Sequence, residues 1–335
     1  MKHILLIATG GTIASRPTEN GLAPQLLADD ILRCVPALGS LCRIDAVQPM
    51  NIDSTNMSPD CWLALADCLR AHYDQYDGFV IAHGTDTLSY AAATLSYLIQ
   101  KNEKPVVLTG AQKSIEVPDG DARRNLFEAF VYATDARACG THVVFNGHVI
   151  AGTRARKTHT KSFDAFSSID FPDIGVFYDK KLLCYIDERP ECPGAVFYDK
   201  LVPEILSIRV IPGMDPSVFD YITAHCRGVV IESFGVGGIP SYPGSGFLDT
   251  LQKGIEAGKT IVLTTQVQNE GSDVGVYQVG YEIRHTPQIL EAFDMTTEAI
   301  CGKLMWILGQ TRDPEQINRL FYTPVANDIL HYVHR

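Results

Sequence analysis

The sequence has no long hydrophobic run and no dense cluster of basic residues. No segment approaches the roughly 18 consecutive apolar residues of a membrane-spanning helix. Acidic residues outnumber basic ones by 39 to 28, which gives a formal net charge of −11. Because nucleic acids and anionic membranes bind clustered positive charge, we expect neither as a partner.

Paired cysteine motifs are also missing. Nine cysteines are scattered along the 335 residues, and no two of them form a Cys-x-x-Cys pair. Such an odd, unpatterned set is typical of reduced thiols in a cytosolic protein and not of a disulfide framework. His142 and His148 are too loosely spaced for metal ligation, and no other cluster fits a zinc site. We therefore expect a cytoplasmic protein that needs no metal ion or cofactor.

Apolar residues, by contrast, are plentiful enough for a large core. They make up 46% of the chain against 20% charged residues, and no internal repeat or low-complexity segment is found. Strands and helices alternate up to about residue 150, which is typical of a doubly wound sheet. We predict a larger N-terminal domain over residues 1–190 with a flavodoxin-like parallel sheet. A linker over residues 191–212 and a smaller C-terminal α/β domain over residues 213–335 follow.

The first apolar run ends in a glycine loop. Ile4 to Ala8 predict a buried central strand, and Thr9-Gly10-Gly11-Thr12 follow it directly. The run is too short for a signal peptide and leaves no room for a cleavage region. Ligands of open α/β sheets bind beyond the carboxyl ends of the strands, where glycine lets the backbone approach them closely.

A second stretch repeats this layout. The apolar run from Gly78 to Ala82 is followed by His83-Gly84-Thr85-Asp86-Thr87 and then by a helix over residues 88–99. We expect Thr85 or Asp86 to cap this helix. A third strand over residues 106–108 again ends in Thr109-Gly110.

Weaker patterns predict the remaining elements. Residues 15–29 show no helical or strand period and predict an irregular, mobile loop. Helices, strands and one turn are expected at the following places: a helix opening at Ser58-Pro59, a helix over 126–136, strands over 141–150 turning at Asn146-Gly147, strands over 228–231 and 260–263, a helix over 247–255 and a last helix from Thr296.

Together these stretches resemble the L-asparaginase family of bacteria and archaea, specifically its cytoplasmic type I branch. The resemblance spans nearly the whole chain, and the ordered set of motifs is highly specific although each fragment alone is weak. Besides the two threonine loops it rests on four further segments: 51–57, Leu108-Thr109-Gly110-Ala111, Arg156-Lys157-Thr158 and 294–299.

The resemblance implies hydrolysis of L-asparagine to L-aspartate and ammonia through a threonine acyl-enzyme. Thr12 would be the nucleophile, and Thr85, Lys157 and Asp86 would activate the water that releases the product. A lysine acts as a base near neutral pH only when burial or positive charge favours its neutral form. The adjacent Asp86 favours the protonated lysine, so burial must outweigh that pairing.

The resemblance also implies a set of substrate contacts. Asp86 would accept the α-ammonium group, and Ser54 with its neighbours would hold the α-carboxylate. Backbone N–H groups of the Gly84-Thr85 turn could stabilise the oxyanion, and the Ala111 carbonyl could accept the amide NH₂. The full set of expected binding residues is Gly11, Asp53, Ser54, Thr55, Gly84 and Ala111.

One feature departs from the family pattern. Many relatives carry a tyrosine in the loop after the first strand, whereas this chain has Gly21-Leu22-Ala23-Pro24. No role of a lid tyrosine is therefore carried over. Relatives form dimers or tetramers in which a neighbouring subunit closes the site. We expect a homo-oligomer, and the stretch 266–273 is where such a contribution would be sought.

Each candidate also has a purely structural interpretation. Taken alone, Thr12 and Thr85 are as compatible with turns as with catalysis, and Asp86 is more often a helix cap. An isolated Lys157 is usually a solvated loop charge, and an isolated Asp53-Ser54 pair is an ordinary turn. For His83 we favour a structural hydrogen-bonding role over that of a general base.

Other functions remain as alternatives. A nucleotide-binding module would use strand–glycine loops, but no dinucleotide or Walker pattern is present. A glutaminase-asparaginase, or a glutamine amidase of the tRNA amidotransferase type, is a closer alternative. The amidotransferase subunit normally has an extra domain ahead of the threonine-bearing strand. Only three residues precede that strand in this sequence, so we rank the amidotransferase alternative low. Some longer relatives have lysophospholipase activity, and these motifs do not distinguish it.

Overall fold

The computed structural model describes residues 1–19, 21–189, 194–242, 244–276 and 289–330. The chain forms two compact units, Met1–Asp199 and Lys200–Arg335. The expected fold class is confirmed, because the first unit has a large, mainly parallel sheet with flanking helices and the second a smaller parallel sheet. Within the described ranges, no helix is long and apolar enough to cross a bilayer.

The described part of the first unit contains fourteen strands and four helices. The strands are β1 (His3–Ala8), β2 (Ser15–Thr18), β3 (Gly21–Pro24), β4 (Arg43–Val47), β5 (Gly78–Ala82), β6 (Ile99–Gln100), β7 (Val106–Thr109), β8 (Thr141–Phe145), β9 (His148–Ala151), β10 (Ala155–Lys157), β11 (Phe166–Ser168), β12 (Gly175–Tyr178), β13 (Lys181–Cys184) and β14 (Val196–Phe197). The helices are α1 (Ala28–Arg33), α2 (Pro59–His72), α3 (Leu88–Leu98) and α4 (Ala122–Thr134).

The main sheet has the order β13-β12-β9-β8-β7-β5-β1-β4. The five strands from β8 to β4 run parallel, whereas β9, β12 and β13 extend the sheet in antiparallel pairings. In chain order the parallel strands lie 2-1-3-4-5, the flavodoxin-like arrangement. Its topological switch point is between β1 and β5, and these are the two strands that carry the threonine loops. Residues 4–8 of β1 and all of β5 are buried, as their unbroken apolar sequences predict.

Several local predictions are confirmed. Helix α2 begins at Pro59 after the N-cap Ser58 and buries Trp62, Leu65 and Leu69, and the chain turns between β8 and β9 at Asn146 and Gly147. Helix α4, however, begins at Ala122, four residues before the predicted start. The apolar period that predicted it starts only at Leu126, because Arg123 and Arg124 occupy the first turn.

The predictions for two loops were wrong. Residues 15–18 and 21–24, expected to be irregular, form the antiparallel strands β2 and β3 of a hairpin. The exposed ribbon buries no continuous face, so no period marks it in the sequence.

The N-cap position of α3 is Thr87, and neither Thr85 nor Asp86 caps this helix. Thr87 instead donates its hydroxyl hydrogen to the Ser54 carbonyl at 2.8 Å.

The second unit is built on a four-stranded parallel sheet with the order β15-β16-β17-β18. Its described elements are β15 (Ile205–Arg209), α5 (Val218–His225), β16 (Gly228–Ser233), α6 (Phe247–Glu256), β17 (Thr260–Thr265), β18 (Ile289–Glu291), α7 (Thr297–Gln310) and α8 (Pro314–Tyr322). Helix α7 begins at Thr297, close to the predicted start at Thr296, and the Thr296 hydroxyl caps it by accepting from the Ala299 N–H at 3.1 Å.

The predicted linker over residues 191–212 overlaps ordered structure. Residues 205–209 within it form β15, which pairs with β16, and the division between the units lies at Asp199 and Lys200. Pro190 and Pro193-Gly194 with mixed charges suggested a linker, but β15 is an edge strand that is only partly buried. An edge strand of this kind lacks the long apolar run that marked the central strands. Residues 191–193, at the start of the predicted linker, lie outside the described residues.

Candidate active site

The two glycine–threonine loops meet at the carboxyl ends of β1 and β5. The N–H of Thr9 donates to the Ala82 carbonyl at 3.0 Å, and Gly11 donates to the Ile52 carbonyl at 2.9 Å. These bonds continue the parallel pairing past the ends of the strands. The three segments that follow β1, β4 and β5 are thereby held side by side.

Glycine is required where these loops touch. A Cβ on Gly11 would lie 2.2 Å from the Cα of Gly84, and a Cβ on Gly84 would lie 2.6 Å from the Ser54 hydroxyl. Both distances are far below van der Waals contact, so any side chain would force the backbones apart. Gly11 also has a φ of 74°, in the region that favours glycine. The glycines therefore bring the segments of Thr12, Thr85 and Ser54 into direct contact.

Thr12 begins a short 3₁₀ turn, Thr12–Ala14, that is anchored from two sides. The Ser15 hydroxyl donates to the Gly11 carbonyl at 2.9 Å, and the Ile115 N–H donates to the Ile13 carbonyl at 3.1 Å. Thr12 itself is half-buried, and its hydroxyl has no hydrogen-bond partner among the described residues. The turn thus holds an uncommitted hydroxyl beside the Gly84-Thr85 loop.

Thr85, Lys157 and Asp86, which the resemblance places in one catalytic unit, form one hydrogen-bonded group. The ammonium of Lys157 donates to the Thr85 hydroxyl oxygen at 2.8 Å and to the Asp86 carboxylate at 2.7 Å. Thr85 is 4% exposed and the Lys157 side chain 17%, whereas the Asp86 side chain is 56% exposed. The lysine is therefore largely shielded, while its carboxylate partner remains open to a ligand.

Lys157 owes its position to a two-stranded ribbon that the sequence did not indicate. It is the last residue of β10, directly opposite Phe166 on β11. The Phe166 ring packs on Phe145 of the main sheet with 4.8 Å between centroids. The Thr158 N–H donates to the Ala165 carbonyl at 2.8 Å and closes the ribbon. An apparently irregular segment thus places the lysine against Thr85.

The segment after β4 contributes a tight turn. The Asp53 carboxylate accepts hydrogen bonds from both the N–H and the hydroxyl of Thr55, each at 2.9 Å. Ser54 is 2% exposed and lies directly against Gly84. Asp53 and Thr55 are therefore committed to each other, and of the three residues Ser54 lies deepest beside the two loops.

Two segments that together span most of the chain match known protein families. Residues 3–189 match the family described as "Asparaginase, N-terminal", and residues 204–321 match the "Glutaminase/Asparaginase C-terminal domain". The chain belongs to the asparaginase family.

Among its relatives is an L-asparaginase of Thermococcus kodakarensis, 37% identical over 97% of this chain and 98% of that protein. A solved structure of the thermostable L-asparaginase from the same organism has a TM-score of 0.91 and covers 98% of this chain and all of that one. A probable cytoplasmic L-asparaginase of Campylobacter jejuni is 27% identical, with a TM-score of 0.82 over 96% of this chain and 99% of that chain. A glutamyl-tRNA(Gln) amidotransferase subunit of Pyrococcus furiosus is 33% identical over 98% of this chain and 77% of that protein.

In this asparaginase-family chain the segment after the Thr12 turn is the β2–β3 hairpin. It is tied to the loop after β7 by an ion pair between Arg16 and Glu116, with Nε to Oε2 at 3.0 Å. Leu22 is 62% exposed on this hairpin. The pairing with Glu116 gives the hairpin a defined position, but an exposed ion pair of this kind contributes little stability.

The loop after β7 contains polar residues that sequence reasoning missed. Ala111 is fully buried, and the Asp121 carboxylate accepts from the N–H groups of Gln112 and Lys113 at 2.8 and 3.1 Å. Asn125 of the following helix α4 donates to the Gly110 carbonyl in this loop at 3.0 Å. The available signal was the position of Gln112, shortly after a strand whose carboxyl end lies at the ligand edge of the sheet.

His83 is a buried structural residue in this site. It is fully buried, its Nδ1 is 2.7 Å from the Gly84 carbonyl oxygen, and its Nε2 has no partner among the described residues. Burial lowers the pKa of His83 to about 4 from its ordinary 6.5. The imidazole is therefore neutral at physiological pH and supports the loop that carries Thr85.

Acidification should destabilise the fold through His83. Between pH 6.5 and 4 the unfolded chain takes up a proton on this residue and the folded chain does not, so stability falls as the pH falls. From about pH 7 to about pH 5 this amounts to about 2 kcal/mol. Urea unfolding of the wild type and of His83→Gln at both pH values measures it. Equal losses in the two proteins would contradict the assignment.

Proposed function

We propose that the protein hydrolyses L-asparagine to L-aspartate and ammonia through an acyl-enzyme on Thr12. The observation that carries the proposal is the Lys157 ammonium shared by Thr85 and Asp86, beside a loop with an uncommitted threonine hydroxyl. Such a group offers a nucleophile, a base and a carboxylate within one site. An L-asparaginase of the same family, at 37% identity, supports this choice of substrate.

The reaction divides into two balanced steps. In the first, the Thr12 oxygen bonds to the side-chain amide carbon, the carbon–nitrogen bond breaks, and ammonia leaves with the proton that Thr12 gives up. In the second, a water adds to the ester carbon, the bond to Thr12 breaks, and the threonine regains a proton. The Thr85–Lys157–Asp86 group activates this water by accepting its proton.

Substrate binding changes the balance between the protonated and neutral forms of Lys157. Asp86 is the exposed end of the group and is suited to accept the α-ammonium of the substrate. A positive charge arriving at Asp86 offsets the carboxylate and disfavours the protonated form of Lys157. Substrate binding therefore favours the neutral lysine, the form that can act as a base.

The other proposed substrate contacts are arranged around the α-ammonium group held by Asp86. Ser54, buried against Gly84, would hold the α-carboxylate, and the N–H groups of the Gly84-Thr85 turn would face the developing oxyanion. The Ala111 carbonyl would accept the amide NH₂. Gly11 would line the site as the point where the two loops touch.

The substrate choice predicts strong preference for L-asparagine over L-glutamine. If Asp86 and Ser54 fix the α-substituents, the additional methylene of glutamine gains only about 0.8 kcal/mol when buried. It also displaces the amide carbon by more than about an ångström, and such misplacement costs roughly a hundredfold in rate. We expect kcat/KM to favour asparagine by about two orders of magnitude in an ammonia-release assay.

The same assay tests the alternatives. A glutamine amidase of the amidotransferase type is favoured by the relative from Pyrococcus furiosus. A kcat/KM ratio near one, or one that favours glutamine, would refute the proposed anchor and support that alternative. Thermal stabilisation by ATP or NAD, with none by aspartate, would instead revive a nucleotide-binding function.

We also propose a cytoplasmic location and assembly into a homodimer or homotetramer. Eight cysteines in the described part of the chain are free thiols, which suits a reducing compartment. A family member described as a probable cytoplasmic L-asparaginase supports the same location. Sedimentation analysis of the purified protein measures the oligomeric state.

A further inference from the structure

Gln112 is a polar side chain of the site that the proposed reaction does not use. It is half-buried in the loop after β7. The Thr85 hydroxyl donates to its Oε1 at 3.4 Å, and its Nε2 donates to the Ser162 carbonyl at 3.1 Å. One amide therefore joins the Thr85 loop to the segment that follows Lys157.

The orientation of this amide follows from its partners. A carbonyl such as that of Ser162 can only accept, so it must face Nε2, and Oε1 is left toward Thr85. The backbone of Gln112 is fixed as well, because its N–H donates to the buried Asp121 carboxylate at 2.8 Å. Gln112 thus presents an acceptor to Thr85 in a defined position.

The acceptor of the Thr85 hydroxyl hydrogen depends on the protonation state of Lys157. When Lys157 is protonated it donates to the Thr85 oxygen, so the single hydrogen of that hydroxyl needs another acceptor, which is Gln112. When Lys157 is neutral, its lone pair competes for the same hydrogen. The bond to Gln112 is fully available only in the protonated state, and it therefore favours that state.

We propose that Gln112 is a positioning residue that holds the Thr85 hydroxyl hydrogen away from Lys157 and thereby sets the pH at which the pair becomes active. This rests on the proposed function, in which neutral Lys157 is the base. The proposal gives Gln112 no contact with the reacting atoms. Its effect is on the acid limb of the pH–rate profile.

Several charged groups surround the pair, and the test must hold them constant. Asp86 is the charged group bonded to Lys157. Helix α3, which packs against β10, contributes only tyrosines as titratable groups. The other charged or titratable groups on the adjoining segments include Asp53, His83, Lys113, Glu116, Asp119, Asp121, Arg156, His159, Lys161 and Asp164. Substitutions at position 112 leave all of them in place.

The experiment measures kcat/KM for L-asparagine against pH in the wild type, Gln112→Met and Gln112→Glu. Loss of the acceptor in Gln112→Met should move the acid limb down by about half a pH unit, the lower end of a hydrogen-bond contribution. The negative charge of Gln112→Glu favours protonated Lys157 and should move the limb up by about half a unit or more. Shifts in opposite directions are the expected result.

The controls are Gln252→Met and Gln252→Glu, which make the same changes on an exposed residue of α6. They should leave the limb where it is. The proposal would be overturned if the acid limb shifted in the same direction in both Gln112 variants. It would also be overturned if both variants had lower rates but an unshifted acid limb, which would indicate a purely structural role of Gln112. Thermal unfolding identifies a variant that fails to fold, and the other variant then carries the test.

Lys157→Met separates this proposal from the proposed function. If it removes activity while the Gln112 variants do not move the limb, the proposed function stands and the role of Gln112 falls. If Lys157→Met keeps the wild-type profile, the proposed function falls, and the role of Gln112 falls with it.

Discussion

Replacing Thr12 with alanine should abolish steady-state hydrolysis of L-asparagine while the fold is kept. The loss of a covalent nucleophile lowers turnover by several orders of magnitude, on the order of 10⁴-fold or more. The fold should persist because the Thr12 hydroxyl has no hydrogen-bond partner among the described residues. The turn is held instead by Gly11, Ser15 and Ile115.

The measurement is ammonia release by purified Thr12→Ala, with circular dichroism and thermal unfolding as tests of the fold. Thr12→Ser is the matched control, since it keeps a hydroxyl at the same position and should retain part of the activity. Asparagine should still bind to Thr12→Ala, because Asp86 and Ser54 remain. Turnover like that of the wild type in a folded Thr12→Ala protein would refute the nucleophile.

Lys157→Met should have the second-largest effect. Methionine keeps an aliphatic stem of similar length but removes the group that bonds Thr85 and Asp86. Loss of a positioned base costs about 10²- to 10⁴-fold in kcat. KM should change little, because the lysine holds no part of the substrate. Lys161→Met, at an exposed lysine of the same segment, is the control and should leave both constants unchanged.

Asp86→Ala should differ from Lys157→Met in a way that separates the two roles. It removes the α-ammonium partner as well as the lysine's carboxylate, so KM should rise roughly 10- to 100-fold, as expected for a lost charged hydrogen bond, and kcat should fall too. Small and equal effects on KM and kcat in both variants would count against this division of labour.

Much of the site could be predicted because of where the buried strands end. The apolar runs of β1, β5 and β7 are local features of the sequence, and each is buried in the sheet. In a parallel sheet their carboxyl ends lie at one edge, so the residues after them gather there. The contact between the Thr12 and Thr85 loops follows from this rule and from the glycines that permit it.

Other features left no local trace. The lysine lies beside Thr85 only because β10 and β11 pair and Phe166 packs on the sheet. A helix cap was expected from Thr85 or Asp86, yet Thr85 bonds instead to a lysine 72 residues away. The spacing of apolar residues indicates which face of a helix or strand is buried. It contains no information about hydrogen bonds between segments that are distant in the chain.

The sequence by itself therefore determined the two-unit α/β architecture, the central strands, the threonine loops and the family. The tertiary structure alone decided the bond between Lys157 and Thr85, the pairing of β2 with β3 and the orientation of Gln112. The physical reason is the range of the interactions. An apolar run marks a buried strand by residues that are adjacent in the chain. A polar side chain instead bonds to groups that are distant in the chain and that only the finished fold brings beside it.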